Sequence, residues 1–191
     1  MTCHISSGAR AKIVLLLMAA SSCGGTATAD EDALLVRSRA VTAEFASRLQ
    51  RELQQAMSMV GPEIAISVCM DVAPVIASEL SRDNGARVSR TSLRFRNPGN
   101  APEPWQTAVL REFDTGRSTE HFERLDDGST RYMKAIPTGP ICLACHGAEL
   151  ADDVRQRLGE EYPHDRARGY ELGDIRGAFS ITWPGPVDDR D

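Results

Sequence analysis

Residues Asp83-Asn84-Gly85-Ala86-Arg87-Val88-Ser89-Arg90-Thr91-Ser92-Leu93-Arg94-Phe95-Arg96 contain the change of period that decides the fold class. Asp83-Asn84-Gly85 closes a helical pattern, and from Arg87 the chain alternates. Leu93 and Phe95 fall on one side, with Arg90, Arg94 and Arg96 on the other. That period of two predicts a half-buried strand over residues 87–96. The chain before this point reads as helix, and much of the chain after it reads as strand.

Upstream, residues 30–59 are amphipathic. Leu34, Val41, Phe45, Leu49, Leu53 and Met57 form a stripe with charged residues between them. Gly61-Pro62 ends this helix, and Pro62 suits the first turn of the next. Residues 64–80 are apolar on most sides, so that second helix is expected to be buried. Pro74 lies inside it and should remove the hydrogen bond to Met70, kinking or breaking the helix.

Downstream, Asn97-Pro98-Gly99-Asn100-Ala101-Pro102 is a turn-rich loop before a short helix over residues 105–113. Residues 120–125 and 130–136 flank Asp126-Asp127-Gly128-Ser129, a hairpin signal. Residues 175–183 form a last strand with Phe179, Ile181 and Trp183 on one face. Helices followed by strands with helical inserts predict an α+β domain built on an antiparallel sheet.

Residues 1–29 differ from the rest. Arg10 and Lys12 precede the apolar run 13–20, which gives way to Ser21-Ser22-Cys23-Gly24-Gly25, the order of a secretory leader. The run is too short to span a bilayer, and no later segment is expected to do so. Cleavage after Ala27-Thr28-Ala29 would release a soluble periplasmic protein. Cleavage before Cys23 would leave a lipid there and a membrane tether. Residues 30–191 then form a single domain. Every acidic residue lies in it, but Arg10 and Lys12 do not, so its net charge is −7 against −5 for the whole chain. A nucleic-acid partner, which requires a basic face, is excluded.

Of five cysteines, Cys3 and Cys23 belong to the leader, leaving Cys69, Cys142 and Cys145. Cys142-Leu143-Ala144-Cys145-His146 has the spacing of c-type haem attachment. Two thiols on one helical turn each reach a vinyl group, and the following imidazole is placed as an iron ligand. A zinc site would need a second ligand pair, and a disulfide between Cys142 and Cys145 would close a strained loop.

The second axial position is left open by spacing alone. Its candidates are Cys69, the methionines, His121, His164, water or nothing. His121 reads as a surface residue of the hairpin, and Met57, Met59, Met70 and Met133 read as core filler. Cys69 lies on a stripe with Ala65, Val72 and Ile76, where a small buried hydrophobe is the simpler role. A lone thiol in an oxidising compartment, however, is a liability unless engaged. Arg90, Arg94 and Arg96 are candidate partners for haem propionates, since guanidinium matches carboxylate bidentately.

Several motifs together resemble one family. They are Ala65-Ile66-Ser67-Val68-Cys69 with Ala73-Pro74, Arg90-Thr91-Ser92, and Arg96-Asn97-Pro98-Gly99-Asn100. Cys142-Leu143-Ala144-Cys145-His146-Gly147, Tyr162-Pro163 with Asp165, and Gly173-Asp174-Ile175-Arg176-Gly177 complete the set. The chain is similar, over residues 34–183, to the PAS-like single-haem c domains. These occur as stand-alone periplasmic or lumenal proteins and as extracytoplasmic sensor parts of receptors and kinases. The resemblance implies one covalent haem with His146 on one side of the iron and Cys69 on the other. It also implies a redox or gas sensor module, with a low-potential electron carrier as the alternative. No acid/base constellation surrounds the motif, so an enzyme is not expected. The redox or signalling partner is not legible in the residues.

Overall fold

The computed structural model describes residues 25–186. Residues 1–24, with Cys3, Cys23 and the apolar run of the leader, lie outside the described residues. The first helix, α1 (Gly25–Met59), starts within the stretch read as leader. Val41, Phe45 and Leu49 bury its stripe, with Leu34 and Leu53 partly covered.

The second helical region is where sequence and structure differ most. It runs unbroken from α2 (Pro62–Ser67) through a wide π-helical stretch, Val68–Val72, into α3 (Ala73–Asn84). The predicted break at Pro74 does not occur. The Ala73 N–H donates to the Val68 carbonyl, one residue further back than an α-helix allows. This widening places Pro74 in the first turn of α3, where its missing N–H is tolerated.

The extra residue also shifts the buried face. The pattern 65, 69, 72, 76 becomes Ala65, Val68, Ala73, Ile76 and Leu80. Cys69 is displaced from the core to a partly exposed position. Ile64 and Val75 are exposed, so the region is amphipathic rather than buried all round. Contrary to expectation, the helical region Pro62–Asn84 is long and apolar enough to cross a membrane, its most apolar 18 residues having a mean hydropathy of 1.6. They serve instead as a core helix, because Val68, Ala73, Ile76 and Leu80 pack on α1 and the sheet.

Gly85, at φ 64°, ends α3 in the left-handed conformation that glycine adopts without strain. The strand β1 then covers only Arg87–Thr91, not residues 87–96. Beyond Thr91 the backbone leaves the ladder. Ser92 N–H donates to the Asn100 carbonyl at 3.2 Å, and its hydroxyl donates to the Arg176 carbonyl at 2.7 Å. The alternation past Ser92 reflects two packing environments along a loop.

The other strands are β2 (Glu120–Arg124), β3 (Thr130–Pro137) and β4 (Ile175–Trp183). They form one antiparallel sheet in the order β1-β4-β3-β2. The predicted hairpin and the Phe179, Ile181, Trp183 face are both present. Tyr132, Phe179, Ile181 and Trp183 meet α1 and α3. The opposite face, with Met133, Ala135 and Ala178, meets Val109, Leu110 and Phe113 of α4 (Pro104–Asp114). The class is α+β, as expected.

Glu120 fastens α1 to the sheet. It accepts from Arg39 Nε at 2.9 Å and Nη2 at 2.6 Å, and from the Tyr132 hydroxyl at 2.7 Å. The Arg39 hydrogen bonds pull its carboxyl down to about 2, against some opposition from burial. A depressed folded-state pKa stabilises above the ordinary value of 4.5, and that contribution is lost as pH falls through about 2. Urea unfolding of Glu120→Gln against pH should therefore show a shallower acid loss than wild type over this window. Parallel curves would refute the assignment.

Candidate cofactor site

The site lies at one end of the sheet, where β3 and β4 lose register between Ile136 and Pro137. Such irregularities bend a strand and redirect the chain beyond it. The backbone turns through Pro140–Cys142 into the single-turn helix α5 (Leu143–His146). Gly177 on β4 lets β1 approach closely, since a Cβ there would lie 2.4 Å from the Thr91 carbonyl oxygen.

Cys142, Cys145 and His146 occupy this turn. Cys142 lines a cavity of about 770 Å³ between α1 and the sheet. Its walls include Ala46, Leu49, Leu53 and Phe179. Cys145 packs against Ile66, Leu150, Val154 and Leu158, the last two on α6 (Asp152–Glu161). Burial raises its thiol pKa above the ordinary value. His146 is buried, and its Nδ1 lies 2.7 Å from the Ala167 carbonyl oxygen. A carbonyl only accepts, so Nδ1 carries the proton and Nε2 keeps a free lone pair. Burial, then the charges of Arg176 and Arg96, hold the imidazole well below its ordinary pKa and hence neutral. Tyr170 meets its ring edge-on at 6.1 Å.

Cys69 and His146 line one small cavity of about 60 Å³, together with Arg90, Tyr162 and Arg176. Burial, reinforced by the neighbouring Cys69, raises the Tyr162 phenol to about 12, so it remains a neutral donor. The two cavities share Ile136 and Arg176. The structure thus gathers Cys69, Cys142, Cys145 and His146 into one region. Among the described residues no group of three or more His, Cys, Asp or Glu could hold a bare metal ion. Two axial-type donors beside two free thiols fit a macrocycle that brings its own equatorial nitrogens.

Of the other axial candidates, Met70 packs against the same apolar cluster as Cys145. His164 is exposed, and Met133 is buried on the α4 side of the sheet. Met59 is exposed rather than core. His121 lies partly exposed on the hairpin beside Trp105, its Nε2 without a hydrogen bond and 3.7 Å from Glu123 Oε2.

The arginines divide differently from the sequence reading. Arg96 is committed to Asp165 and two carbonyls, and Arg94 stacks over Tyr170 at 3.7 Å. Arg90 donates to the Cys69 carbonyl at 3.5 Å and lies over the Phe45 ring at 5.9 Å, and burial lowers its pKa. Arg176 was missed as a candidate. Its Nε is buried and unpartnered, and it borders both cavities. Its only sequence signal is its place in Gly173-Asp174-Ile175-Arg176-Gly177.

Fold and site together define a PAS-like α+β domain with a paired-cysteine and histidine turn set against a helical cysteine. The chain belongs to the Tll0287-like family, whose model matches residues 24–184. It is also similar to a solved structure described as the cyanobacterial haem protein Tll0287. The sequences are 27% identical, the TM-score is 0.61, and the match covers 78% of this chain and 95% of that one. No curated protein matches the sequence.

Proposed function

We propose that this protein holds one haem c covalently through Cys142 and Cys145, with His146 and Cys69 as the axial donors, and serves as a redox or gas sensor module. The observation carrying this reading is that Cys69 and His146 line the same small cavity, while Cys142 lines the larger cavity that shares Ile136 and Arg176 with it. The solved relative being a haem protein supports it. Bound between imidazole and thiolate, the iron would supply a low-potential ferric/ferrous couple.

His146 offers Nε2 because Ala167 holds its other nitrogen. Cys69 offers sulfur from a π-helical stretch, a feature frequent at functional sites. Arg176, and Arg90 after it, are the guanidiniums left for the propionates. The protein acts in the periplasm, either soluble or tethered by a lipid on Cys23, with a separate redox or signalling partner and no nucleic acid. We assign it no enzymatic activity.

The unbroken helix through Pro74 favours a second reading, a low-potential electron carrier whose ligands stay fixed. Absorption spectra of the haem-loaded protein, oxidised and then reduced under CO, separate the two, with Cys69→Ala alongside. A thiolate spectrum lost in Cys69→Ala, with CO binding on reduction, is the sensor result. The same spectrum without CO binding is the carrier result. A spectrum unchanged by Cys69→Ala would remove Cys69 from the iron.

A further inference from the structure

Arg96 and Asp165 form the most buried ion pair among the described residues, with side chains 8% and 1% exposed. A surface pair needs no explanation, but two buried charges are costly unless their remaining valences are filled. Here most are filled, and the bonds converge on the backbone around His146. Asp165 Oδ1 accepts from Arg96 Nε at 3.1 Å and from the Ala167 N–H at 2.9 Å. Its Oδ2 accepts from Arg168 Nε at 2.8 Å. Arg96 Nη2 donates to the Ala167 carbonyl at 3.2 Å and to the Cys145 carbonyl at 2.6 Å. Asp165 thus grips the N–H of Ala167 and Arg96 its carbonyl, and that carbonyl accepts the His146 Nδ1 proton at 2.7 Å.

We propose that Arg96 and Asp165 are positioning residues for His146. They fix the Ala167 carbonyl from both ends of the residue and so hold the imidazole in one tautomer and one ring plane, with Nε2 directed into the site. The bond from Arg96 to the Cys145 carbonyl ties the same lock to the second cysteine of the motif. This inference rests on the reading of His146 as an axial donor. It explains why Arg96, one of the three arginines named as propionate candidates, is committed elsewhere. A pair serving only the fold would lower stability and leave the His146 proton as it is in the folded state.

The test is the exchange of the His146 Nδ1 proton with solvent, followed by NMR in the reduced, haem-loaded protein. Wild type is compared with Asp165→Asn, Arg96→Gln and Arg96→Lys. Slow exchange is expected in wild type. Asp165→Asn and Arg96→Gln should accelerate it about tenfold or more, as loss of a well-held hydrogen bond implies. Arg96→Lys, which keeps the charge on a single donor nitrogen, should restore part of the protection. Wild-type exchange as fast as that of a free imidazole would overturn the proposal, as would unchanged exchange in both neutral variants. The same exchange is also read on haem-free protein. Absence of covalent haem in wild type would then sink the functional reading alone, and unaltered exchange would sink the positioning role alone.

Discussion

Replacing both Cys142 and Cys145 with serine is expected to yield a protein from which all haem is removed by acid and organic solvent. Wild type should retain its haem under the same treatment. The two thiols leave the same turn in different directions, Cys142 toward the large cavity and Cys145 toward α6. Either single serine variant should keep one thioether and retain haem, with an altered spectrum. The double variant keeps His146 and its hydrogen bond to Ala167, so a haem held there would be held by coordination alone. Haem that survives extraction from the double variant would show attachment through some other residue.

Phe45→Ala is expected to destabilise the fold by about 3–5 kcal/mol, the usual cost of truncating a fully buried aromatic. Phe45 is 0% exposed and packs on Phe179 with ring centroids 5.0 Å apart. The pair is the joint between α1 and the central strand β4. Phe179 also walls the larger cavity, so the void left by Phe45 would open toward it. Urea unfolding should show the midpoint fall. A drop under about 1 kcal/mol would mean that α1 is not docked through this contact.

The class of fold was legible because its signals are local and periodic. The α1 stripe, the hairpin around Asp126-Asp127-Gly128-Ser129 and the β4 face each arise from one repeating spacing. Pro74 was not legible in the same way. Its cost is real, but the π-helical stretch before it absorbs the missing hydrogen bond, and such a widening leaves no periodic mark. The same stretch moved Cys69 off the predicted buried stripe and onto the small cavity.

The candidate site shows a similar division. Cys142, Cys145 and His146 are adjacent in sequence and declare themselves. Cys69 and Arg176 come to the site only through tertiary packing; the lone thiol made Cys69 a candidate, and motif resemblance singled it out. Arg96 carried a misleading signal. A strand arginine opposite Leu93 and Phe95 looks free to meet a propionate, yet Asp165, 69 residues away, takes it. Long-range charge pairing of this kind has no sequence spacing to betray it.

The most direct measurement is the intact mass of the purified, denatured protein after expression with a haem-attachment system. Proteolysis of the same sample then locates the modification. The expected result is the chain plus one haem, on the peptide that contains Cys142 and Cys145. A bare chain mass, or haem on any other peptide, would contradict the proposed site.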